Sequence, residues 1–199
     1  MTRTESKYRE KAQRILTAAE RLFLAQGYGA TTMDAIAREA QVTKQTVYRY
    51  FPSKKALFTR LIQQDECGDE PFRFGKGPVR QELQAYAEAF IAFHMTPKRL
   101  SLYQLMLGES KAHPEIGEIF RHQARPRWQG ILVDYLRQHL TNSSLAETHG
   151  AMFNALLLHQ RSAILMGLAH IPDGESIRHQ AHLATELFLK GVELDEKNR

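Results

Sequence analysis

Cysteine is almost absent from this sequence, and long apolar runs are absent altogether. The single cysteine, Cys67, cannot form an internal disulfide, which is typical of proteins in the reducing cytoplasm. No stretch approaches the roughly 18 apolar residues of a membrane span. The first residues also lack the apolar core of a signal peptide. We therefore expect a cytoplasmic protein that has no membrane partner.

Catalytic signatures are lacking as well. No G-x-S-x-G nucleophile elbow, phosphate-binding glycine loop or zinc-protease motif occurs. A carboxylate-bridged di-iron bundle needs paired Glu-x-x-His motifs, and Glu175 and His179 are four residues apart rather than three. His179 and His182 are one helical turn apart, but a third metal ligand is not evident. The sequence predicts no catalytic residue, no metal site and no cofactor, with an all-α metal-dependent enzyme as the most distant alternative.

Positive charge is concentrated in the first third of the chain. Residues 1–60 hold twelve Lys/Arg and five Asp/Glu, whereas the remaining residues hold fifteen and seventeen. This asymmetry is typical of a nucleic-acid-binding module joined to another domain. A basic face exposed to solvent would give the same counts, so charge alone leaves both interpretations open.

Helical periodicity dominates the chain. Apolar residues recur at spacings of three and four, and an alternating strand pattern is not found. The first such stripe runs from Lys7 to Gln26, and Gly27 is suited to end that helix. Pro126 should kink or split a later helix. The pattern predicts an all-α fold. The helices predicted after Pro78 cover roughly residues 79–95, 98–112, 115–139, 145–169 and 174–194.

Three short segments between residues 31 and 57 carry helix start and stop signals. Thr31 or Thr32 can cap a helix that ends near residue 40. A second helix starts near Thr43 and stops before Pro52, because proline blocks its continuation. Ser53 can cap the helix that follows. Two short helices joined by a tight turn are the arrangement of a helix-turn-helix, whose second helix enters the major groove of DNA.

The helix that starts at Thr43 has an inward and an outward side. The inward positions are Val47, Tyr50 and Phe51. The outward positions are Lys44, Gln45, Tyr48 and Arg49. Glutamine can pair with adenine, and lysine or arginine with guanine, while a tyrosine hydroxyl can bind a phosphate. Lys54, in the first turn of the next helix, is predicted to clamp a phosphate. Polar residues exposed only to solvent are the alternative for any one position.

Together these elements closely resemble the tetracycline-repressor (TetR) family of bacterial transcription regulators. The resemblance covers about residues 12–61. It rests on the F-x-x-x-G-Y segment at 23–28, the threonine pair at 31–32, the T-V-Y-R-Y-F run at 46–51 and the P-S-K segment at 52–54. It implies a DNA-binding domain whose operator contacts come from Thr32, Thr43, Lys44, Gln45, Tyr48, Arg49, Tyr50 and Lys54.

Two features depart from the family pattern or lie outside it. The family often places glycine in the turn where this chain has Gln41, and a left-handed residue there costs about 1 kcal/mol more without glycine. Before Ala12 the chain holds a basic arm with Arg3, Lys7, Arg9 and Lys11. This arm could reach an adjacent minor groove, and a frayed terminus is the alternative.

The resemblance also implies a helical effector-binding and dimerisation domain after the DNA-binding domain. We predict a helix-turn-helix domain over 1–66, a loop over 67–78 and this second domain over 79–199. More apolar surface is present than one helix pair can cover, which favours a homodimer over an ordinary internal core. The residues predicted for the dimer interface are Leu156, Leu157, Ile164, Leu165, Leu183, Leu187 and Phe188.

A ligand site is predicted from large, adaptable or polar-tipped side chains of the second domain. They are Phe90, His94, Tyr103, Met106, Leu107, Trp128, Met152, Phe153 and His159, and an ordinary core is the alternative. The segment 99–138 is similar to a TetR subgroup whose effectors are poorly defined. The sequence thus predicts a ligand-responsive, dimeric repressor that a small molecule releases from double-stranded operator DNA. A non-specific architectural DNA binder is the alternative.

Overall fold

The described part of the chain is entirely helical apart from its turns and loops. The computed structural model describes residues 3–66, 72–124 and 126–194. Within these ranges the chain forms eleven α-helices and no strand, which confirms the all-α prediction. They are α1 (Arg3–Gln26), α2 (Met33–Glu39), α3 (Lys44–Tyr50), α4 (Lys54–Glu66), α5 (Val79–His94), α6 (Pro97–Glu109), α7 (Pro114–Ile119), α8 (Pro126–His139), α9 (Ala146–Leu157), α10 (Arg161–Leu165) and α11 (Gly174–Gly191).

These helices form two compact units, which are described separately. The first unit contains residues 3–66 and 101–124, and the second contains residues 72–100 and 126–194. The sequence assigned 101–124 to the second domain, and here the structure differs. Leu102, Met106, Ile116 and Ile119 are buried in the core of the first unit, which explains the difference. Cys67 and part of the predicted loop, residues 67–71, lie outside the described residues.

The core of the first unit is built around α1. Ile15 and Phe23, on the predicted apolar stripe, are fully buried. The rings of Phe23, Tyr28 and Phe58 pack at centroid distances between 5.3 and 5.4 Å, which joins α1 and the loop after it to α4. Gly27 has a φ of +90°, as predicted for the residue that ends α1. The same core includes Ile36 of α2 and Val47 of α3, so the helices that carry the candidate site are fixed to it.

The proline at 126 separates two helices, as predicted. Helix α7 continues into a π-helical segment, Phe120–Ala124, and α8 starts at Pro126. Proline is well accommodated in the first turn of a helix because the N–H it lacks would have no partner there.

The prediction of one continuous helix over 145–169 is wrong, because the structure divides this segment into α9 and α10. A short 3₁₀ turn, Ser143–Leu145, precedes α9, and α10 starts only at Arg161. Side chains bind the carbonyl oxygens that the break exposes. Nε2 of Gln180 donates to the oxygen of Leu157 at 2.7 Å, and Nδ1 of His159 lies 3.0 Å from the oxygen of Leu156. These contacts satisfy the end of α9 without a proline or glycine.

The last helix is also shorter than predicted. It ends at Gly191, and Val192 is extended. Leu194 then forms an isolated bridge with Leu140, supported by a hydrogen bond from the Thr141 N–H to the Glu193 oxygen at 3.1 Å. The chain after α11 thus pairs with the end of α8 instead of continuing the helix.

The second unit packs around an aromatic core. Tyr86, Phe90, Trp128 and Phe153 are buried within it. Residues 72–78 are non-helical, as the predicted loop requires, and Phe74 stacks on Tyr135 with their ring centroids 3.8 Å apart. No helix in the described ranges is both long enough and apolar enough to cross a membrane.

Candidate nucleic-acid interface

Both helices of the helix-turn-helix start at threonine caps. The Thr32 hydroxyl accepts a hydrogen bond from the Ala35 N–H at 3.1 Å, and the Thr43 hydroxyl accepts one from the Thr46 N–H at 3.2 Å. Each cap satisfies an N–H group that would otherwise lack a partner. The sequence signals for these two starts are therefore confirmed as helix caps.

The turn between α2 and α3 contains a left-handed residue that is not glycine. Gln41 has a φ of +53°, the left-handed conformation suggested by the glycine that the resembling family often has in this turn. Arg14 of α1 reaches this turn and donates to the carbonyl oxygen of Ala40 at 2.7 Å. A charged donor bound to the end of α2 helps to hold the angle between the two helices.

Helix α3 has one buried and one exposed side. Val47 and Phe51 are buried, as predicted for the inward positions. The ring of Tyr48 is 43% exposed. The other exposed side chains at this surface are Thr43, Lys44, Gln45 and Arg49. These positions are accessible to a DNA groove, and their contacts with DNA remain predictions.

Lys44 is paired with a carboxylate on the preceding helix. Its Nζ lies 2.8 Å from Oδ1 of Asp34, and both side chains are more than half exposed. The hydrogen bond and the negative charge of Asp34 raise the pKa of Lys44 above its usual value. The ion pair joins α2 to the first turn of α3. In the free protein it therefore engages Lys44, a residue that the sequence predicts to contact DNA.

Tyr50 is partly buried and partly accessible. The sequence gives it two predicted roles, an inward position of α3 and an operator contact, and this placement agrees with both. Its ring is half-buried and stacks on the ring of Tyr8 of α1, with centroids 4.4 Å apart and planes 27° apart. The guanidinium carbon of Arg49 lies 5.4 Å from the centroid of the Tyr50 ring. Tyr50 thus packs against α1 and still lies beside the exposed side of α3. The part played by Tyr8 was missed because the two residues are far apart in sequence.

Lys54 is used inside the first unit, which the prediction of a phosphate clamp did not include. Its Nζ donates to the carbonyl oxygens of Tyr28 at 2.7 Å and Gly29 at 3.1 Å. Partial burial lowers the pKa of Lys54 below its usual value. An ammonium group has three hydrogens, and two are donated here. A phosphate contact by the third remains a prediction.

The loop that Lys54 binds is also held by the segment 101–124. A carboxylate oxygen of Glu109 accepts a hydrogen bond from the Gly29 N–H at 3.2 Å. The ring of His113 packs edge-on against Tyr28 with centroids 5.2 Å apart. Burial and the nearby Glu115 carboxylate raise the pKa of Tyr28 to about 12. A Cβ on Gly29 would lie 2.8 Å from Nε2 of His113, so glycine permits this close packing.

Four of the residues predicted for the ligand site come together in the second unit. Phe90 and His94 pack against Trp128 at centroid distances of 5.3 and 5.7 Å. Phe153 lies in the same core. The sequence missed Tyr86, whose hydroxyl donates to Oδ1 of Asn154 at 2.9 Å. Only the folded structure brings these residues of α5, α8 and α9 into one cluster.

Two polar groups of this cluster are buried among rings. Burial lowers the pKa of His94 to about 4, so its ring is neutral near pH 7. Its Nδ1 lies 2.8 Å from the carbonyl oxygen of Phe90. In the described part of the chain, the indole nitrogen of Trp128 has no hydrogen-bond partner. A buried N–H without an acceptor is rare, and a ligand oxygen is one group that could satisfy it.

The nine predicted ligand residues do not share one core. Tyr103 and Met106 pack in the first unit. Leu107 and Met152 are 56% and 64% exposed, and His159 is exposed as well. Helical periodicity alone cannot place a residue in one unit or the other, because every helix here has an apolar side. The prediction that these nine residues form a single ligand site is therefore wrong, because only four of them lie in one cluster.

The residues predicted for the dimer interface also divide into two groups. Leu157 and Phe188 are buried inside the second unit, so they belong to its internal core. Leu183 and Leu187 are 54% and 60% exposed and lie one turn apart on α11. Together with half-buried Leu156, they line an open groove of about 540 Å³. Ile164 and Leu165 are half-buried and pack on the core.

The histidines do not gather into a metal site in the described ranges. No group of three or more His, Cys, Asp or Glu side chains is placed there to hold a metal ion. His179 lines the open groove and His182 is exposed.

Comparison with known families supports the interpretation of both parts of the chain. The model for "Bacterial regulatory proteins, tetR family" matches residues 15–61. The model for "AefR-like transcriptional repressor, C-terminal domain" matches residues 81–191, more than half of the chain. The chain belongs to the TetR family. Its first 66 residues contain that family's helix-turn-helix, and the family consists of transcription regulators rather than enzymes.

Individual TetR relatives are more distant. An uncharacterized HTH-type regulator of Bacillus subtilis, YhgD, is 27% identical over 133 residues, which is 64% of this chain and 66% of YhgD. A second regulator of that organism, YuxN, is 36% identical over 75 residues, 32% of this chain and 26% of YuxN. The match thus spans less than two thirds of either relative. Among solved structures, the flavonoid-responsive regulator FrrA is 27% identical with a TM-score of 0.78, covering 92% of this chain and 97% of FrrA.

Proposed function

We propose that this TetR-family protein is a repressor that binds operator DNA as a homodimer and leaves it when a small molecule binds. The observation that carries the proposal is the exposed side of α3. This side of the helix exposes Lys44, Gln45, Tyr48 and Arg49, while Val47 on the opposite side is buried in the core. A helix of this kind fits the major groove, where each base pair presents a distinct pattern of donors and acceptors.

The exposed residues divide into two chemical roles. Gln45 is proposed to pair with adenine, and Lys44 and Arg49 with guanine, because their side chains match those base edges. Tyr48 is proposed to give its hydroxyl to a phosphate. The capping residues Thr32 and Thr43 and the backbone N–H groups beside them lie at helix starts, where phosphates are favoured. Tyr50 and Lys54 are proposed as further phosphate contacts.

The dimer is proposed to form through α11 and the groove beside it. Leu183 and Leu187 expose apolar surface on one side of this helix, and Leu156 continues it. A second copy that presents the same surface would bury these side chains in an isologous interface. Dimerisation also suits DNA binding, since two recognition helices meet half-sites about one helical turn apart.

The effector is proposed to be a small apolar molecule with a hydrogen-bond acceptor. The support is the cluster of Phe90, His94, Trp128 and Phe153, with the indole N–H of Trp128 as donor. The likeness to FrrA, a flavonoid-responsive regulator, favours an aromatic ligand. Release would follow from tighter binding of the effector to a conformation that no longer matches the operator. Such a regulator acts in the cytoplasm and needs no cofactor.

Selection of binding sites from random double-stranded DNA tests this proposal. The purified protein should enrich an inverted repeat whose half-sites are centred about 10 base pairs, or a multiple, apart. Uniform affinity for all sequences would instead identify a non-specific architectural binder. An enriched site with one unrepeated half would contradict the dimer. The selected site then permits a screen for small aromatic molecules that release the protein.

A further inference from the structure

Helix α1 begins well before the segment that the tetR-family model matches. It starts at Arg3, whereas the tetR-family model matches from residue 15. We call residues 3–14 the α1 extension. It contains five Lys/Arg and two Glu, and its described side chains from Glu5 to Lys11 are all exposed. From Arg3 onward the basic arm of the sequence is therefore a helix in the structure, and this helix carries the exposed side chains of Lys7, Arg9 and Lys11.

An aromatic side chain of the α1 extension lies on the side of the helix that leads into the core. Tyr8 precedes Ala12 by four residues and the fully buried Ile15 by seven, so all three share one stripe. Unlike Ile15, Tyr8 is 52% exposed. Its ring is too exposed to contribute much to the core, but it stacks on the ring of Tyr50 at 4.4 Å.

The stack joins the α1 extension to the end of the recognition helix. Tyr50 is the last residue of α3, and Arg49 beside it places its guanidinium carbon 5.4 Å from the Tyr50 ring centroid. Tyr8 and Tyr50 both line an open groove, so their rings are accessible from solvent. Removing the ring of Tyr8 would take away one of the contacts that hold the Tyr50 ring beside Arg49.

Two exposed lysines lie close to Tyr8 on α1, the helix that the stack joins to the recognition helix. Lys7 and Lys11 lie one residue before and three residues after Tyr8, and both are exposed. In the described ranges neither forms an ion pair, unlike Lys44 with its carboxylate partner. Exposed lysines beside a groove-binding helix are suited to phosphate oxygens, which fix a protein on the duplex without reading its sequence.

We propose that the α1 extension is a third element of the operator-binding surface, in which Tyr8 positions Tyr50 while Lys7 and Lys11 bind DNA phosphates. The inference rests on the proposed function, because it requires that the protein bind an operator. Tyr8 is a positioning residue that acts through Tyr50. The two lysines contact DNA directly.

Ring removal tests the positioning role, with affinity measured on the selected operator. An aromatic pair contributes about 0.5–1.5 kcal/mol, so Tyr8→Ala should weaken binding by roughly 2- to 12-fold for each half-site of the operator. Tyr8→Phe keeps the ring and should bind within 2-fold of the unmodified chain. Leu24→Ala, at another exposed apolar residue of α1, is the matched control and should not change the affinity. Thermal unfolding of each variant shows whether it is folded at the assay temperature.

A double-mutant cycle separates positioning from direct contact. If Tyr8 acts through Tyr50, Tyr8→Ala should have no further effect in a Tyr50→Ala background. The same fold-loss in both backgrounds would mean that Tyr8 acts independently of Tyr50, and the positioning role would be wrong. A Tyr8→Ala protein that is folded and binds with unchanged affinity would overturn it as well.

Salt dependence tests the two lysines. Replacing both, as Lys7→Gln with Lys11→Gln, should reduce the slope of log affinity against log salt by about 3.6 for the dimer, because its two copies lose four phosphate contacts and each contributes about 0.9. The matched control replaces two exposed lysines of the second unit, Lys76→Gln with Lys98→Gln, and should leave the slope unchanged. An unchanged slope for the Lys7→Gln/Lys11→Gln protein would mean that these lysines do not belong to the operator-binding surface.

Different results would contradict the proposed function and the role of the α1 extension. If selection from random DNA enriches no site, the proposed function fails. If a site is enriched but Tyr8→Ala and the Lys7/Lys11 pair bind it like the unmodified chain, only the role of the α1 extension is wrong.

Discussion

Lys54 and Tyr28 are joined in two ways, although 26 residues separate them. The ammonium nitrogen of Lys54 lies 2.7 Å from the carbonyl oxygen of Tyr28 and 4.4 Å from the centroid of its ring. The contact connects the start of α4 to the loop that leads into α2. Lys54, which is predicted to bind a DNA phosphate, therefore also stabilises the helix-turn-helix domain itself.

Replacing Lys54 should accordingly reduce stability as well as DNA binding. Lys54→Ala removes a charged donor from two carbonyl oxygens, and we expect the free energy of unfolding to fall by about 1–3 kcal/mol. Lys55→Ala is the matched control. That side chain is exposed and its ion pair with Glu118 is long, at 3.9 Å, so its loss should cost less than about 0.5 kcal/mol. Denaturant unfolding measures both, and equal effects would contradict a structural role for Lys54.

Glycine at position 41 should stabilise the protein. Gln41 has a φ of +53°, where a side chain is strained, so relief of strain should exceed the added entropy of the unfolded chain. We expect Gln41→Gly to raise the free energy of unfolding by about 0.5 kcal/mol. The same change in helix α2, Arg38→Gly, should lower it by about 1 kcal/mol. Opposite signs in the two variants are the result to look for, and a loss at both positions would argue against strain at Gln41.

Gln45 should contribute base preference rather than general affinity. Gln45→Ala is expected to relax selection at one position of each half-site, at a cost of about 1–3 kcal/mol on the preferred base. Repeated selection from random DNA compares the variant with the unmodified chain. Gln138→Ala, at an exposed glutamine of the second unit, should return the original site. If Gln45→Ala also returns the original site, Gln45 does not read a base.

Charge on the exposed side of α11 should disrupt the proposed dimer. Leu183→Arg with Leu187→Arg would bring like charges of two copies together in an apolar interface. Sedimentation or size-exclusion chromatography should show a monomer that remains folded, since both side chains are more than half exposed. Leu145→Arg alters another exposed leucine outside the groove and should remain dimeric. A Leu183→Arg/Leu187→Arg protein that stays dimeric would place the interface elsewhere.

Acid should weaken the second unit through His94. Its pKa is lowered to about 4 by burial, whereas an unfolded histidine titrates near 6.5. The unfolded state therefore binds a proton first, and stability falls as the pH drops from about 6.5 to about 4. The loss attributable to this group is roughly 3 kcal/mol. Unfolding measured over this range should be less pH-dependent in His94→Gln, whereas the exposed-site control His122→Gln should keep the original dependence.

The helix-turn-helix could be predicted because its signals are local. The caps at Thr32 and Thr43, the stop at Pro52 and the buried position of Val47 depend on residues within a few positions of one another. Physical rules for such neighbours can be applied to a sequence directly. The left-handed conformation of Gln41 is suggested instead by the resemblance to the TetR family, which often has glycine at this point of the turn.

Contacts between distant segments could not be predicted in this way. The inward bonds of Lys54, the stack of Tyr8 on Tyr50 and the hydrogen bond of Glu109 to the loop after α1 each join residues far apart in the chain. The break after α9 likewise depends on Gln180 of another helix. An apolar stripe shows that a helix packs, but it does not show which unit the helix packs in.

The ion pair between Lys44 and Asp34 has a thermodynamic consequence for DNA binding. If Lys44 moves to a phosphate or a base edge in the complex, it gives up the Asp34 carboxylate, and Asp34 is left exposed near a polyanion. The net number of cations released from DNA should then be smaller than the number of basic side chains at the surface. The salt slope would underestimate the contacts, and Asp34→Asn should make binding tighter to operator and random DNA alike. We expect Asp34 to compete with DNA for Lys44 and so to lower the affinity for DNA of any sequence.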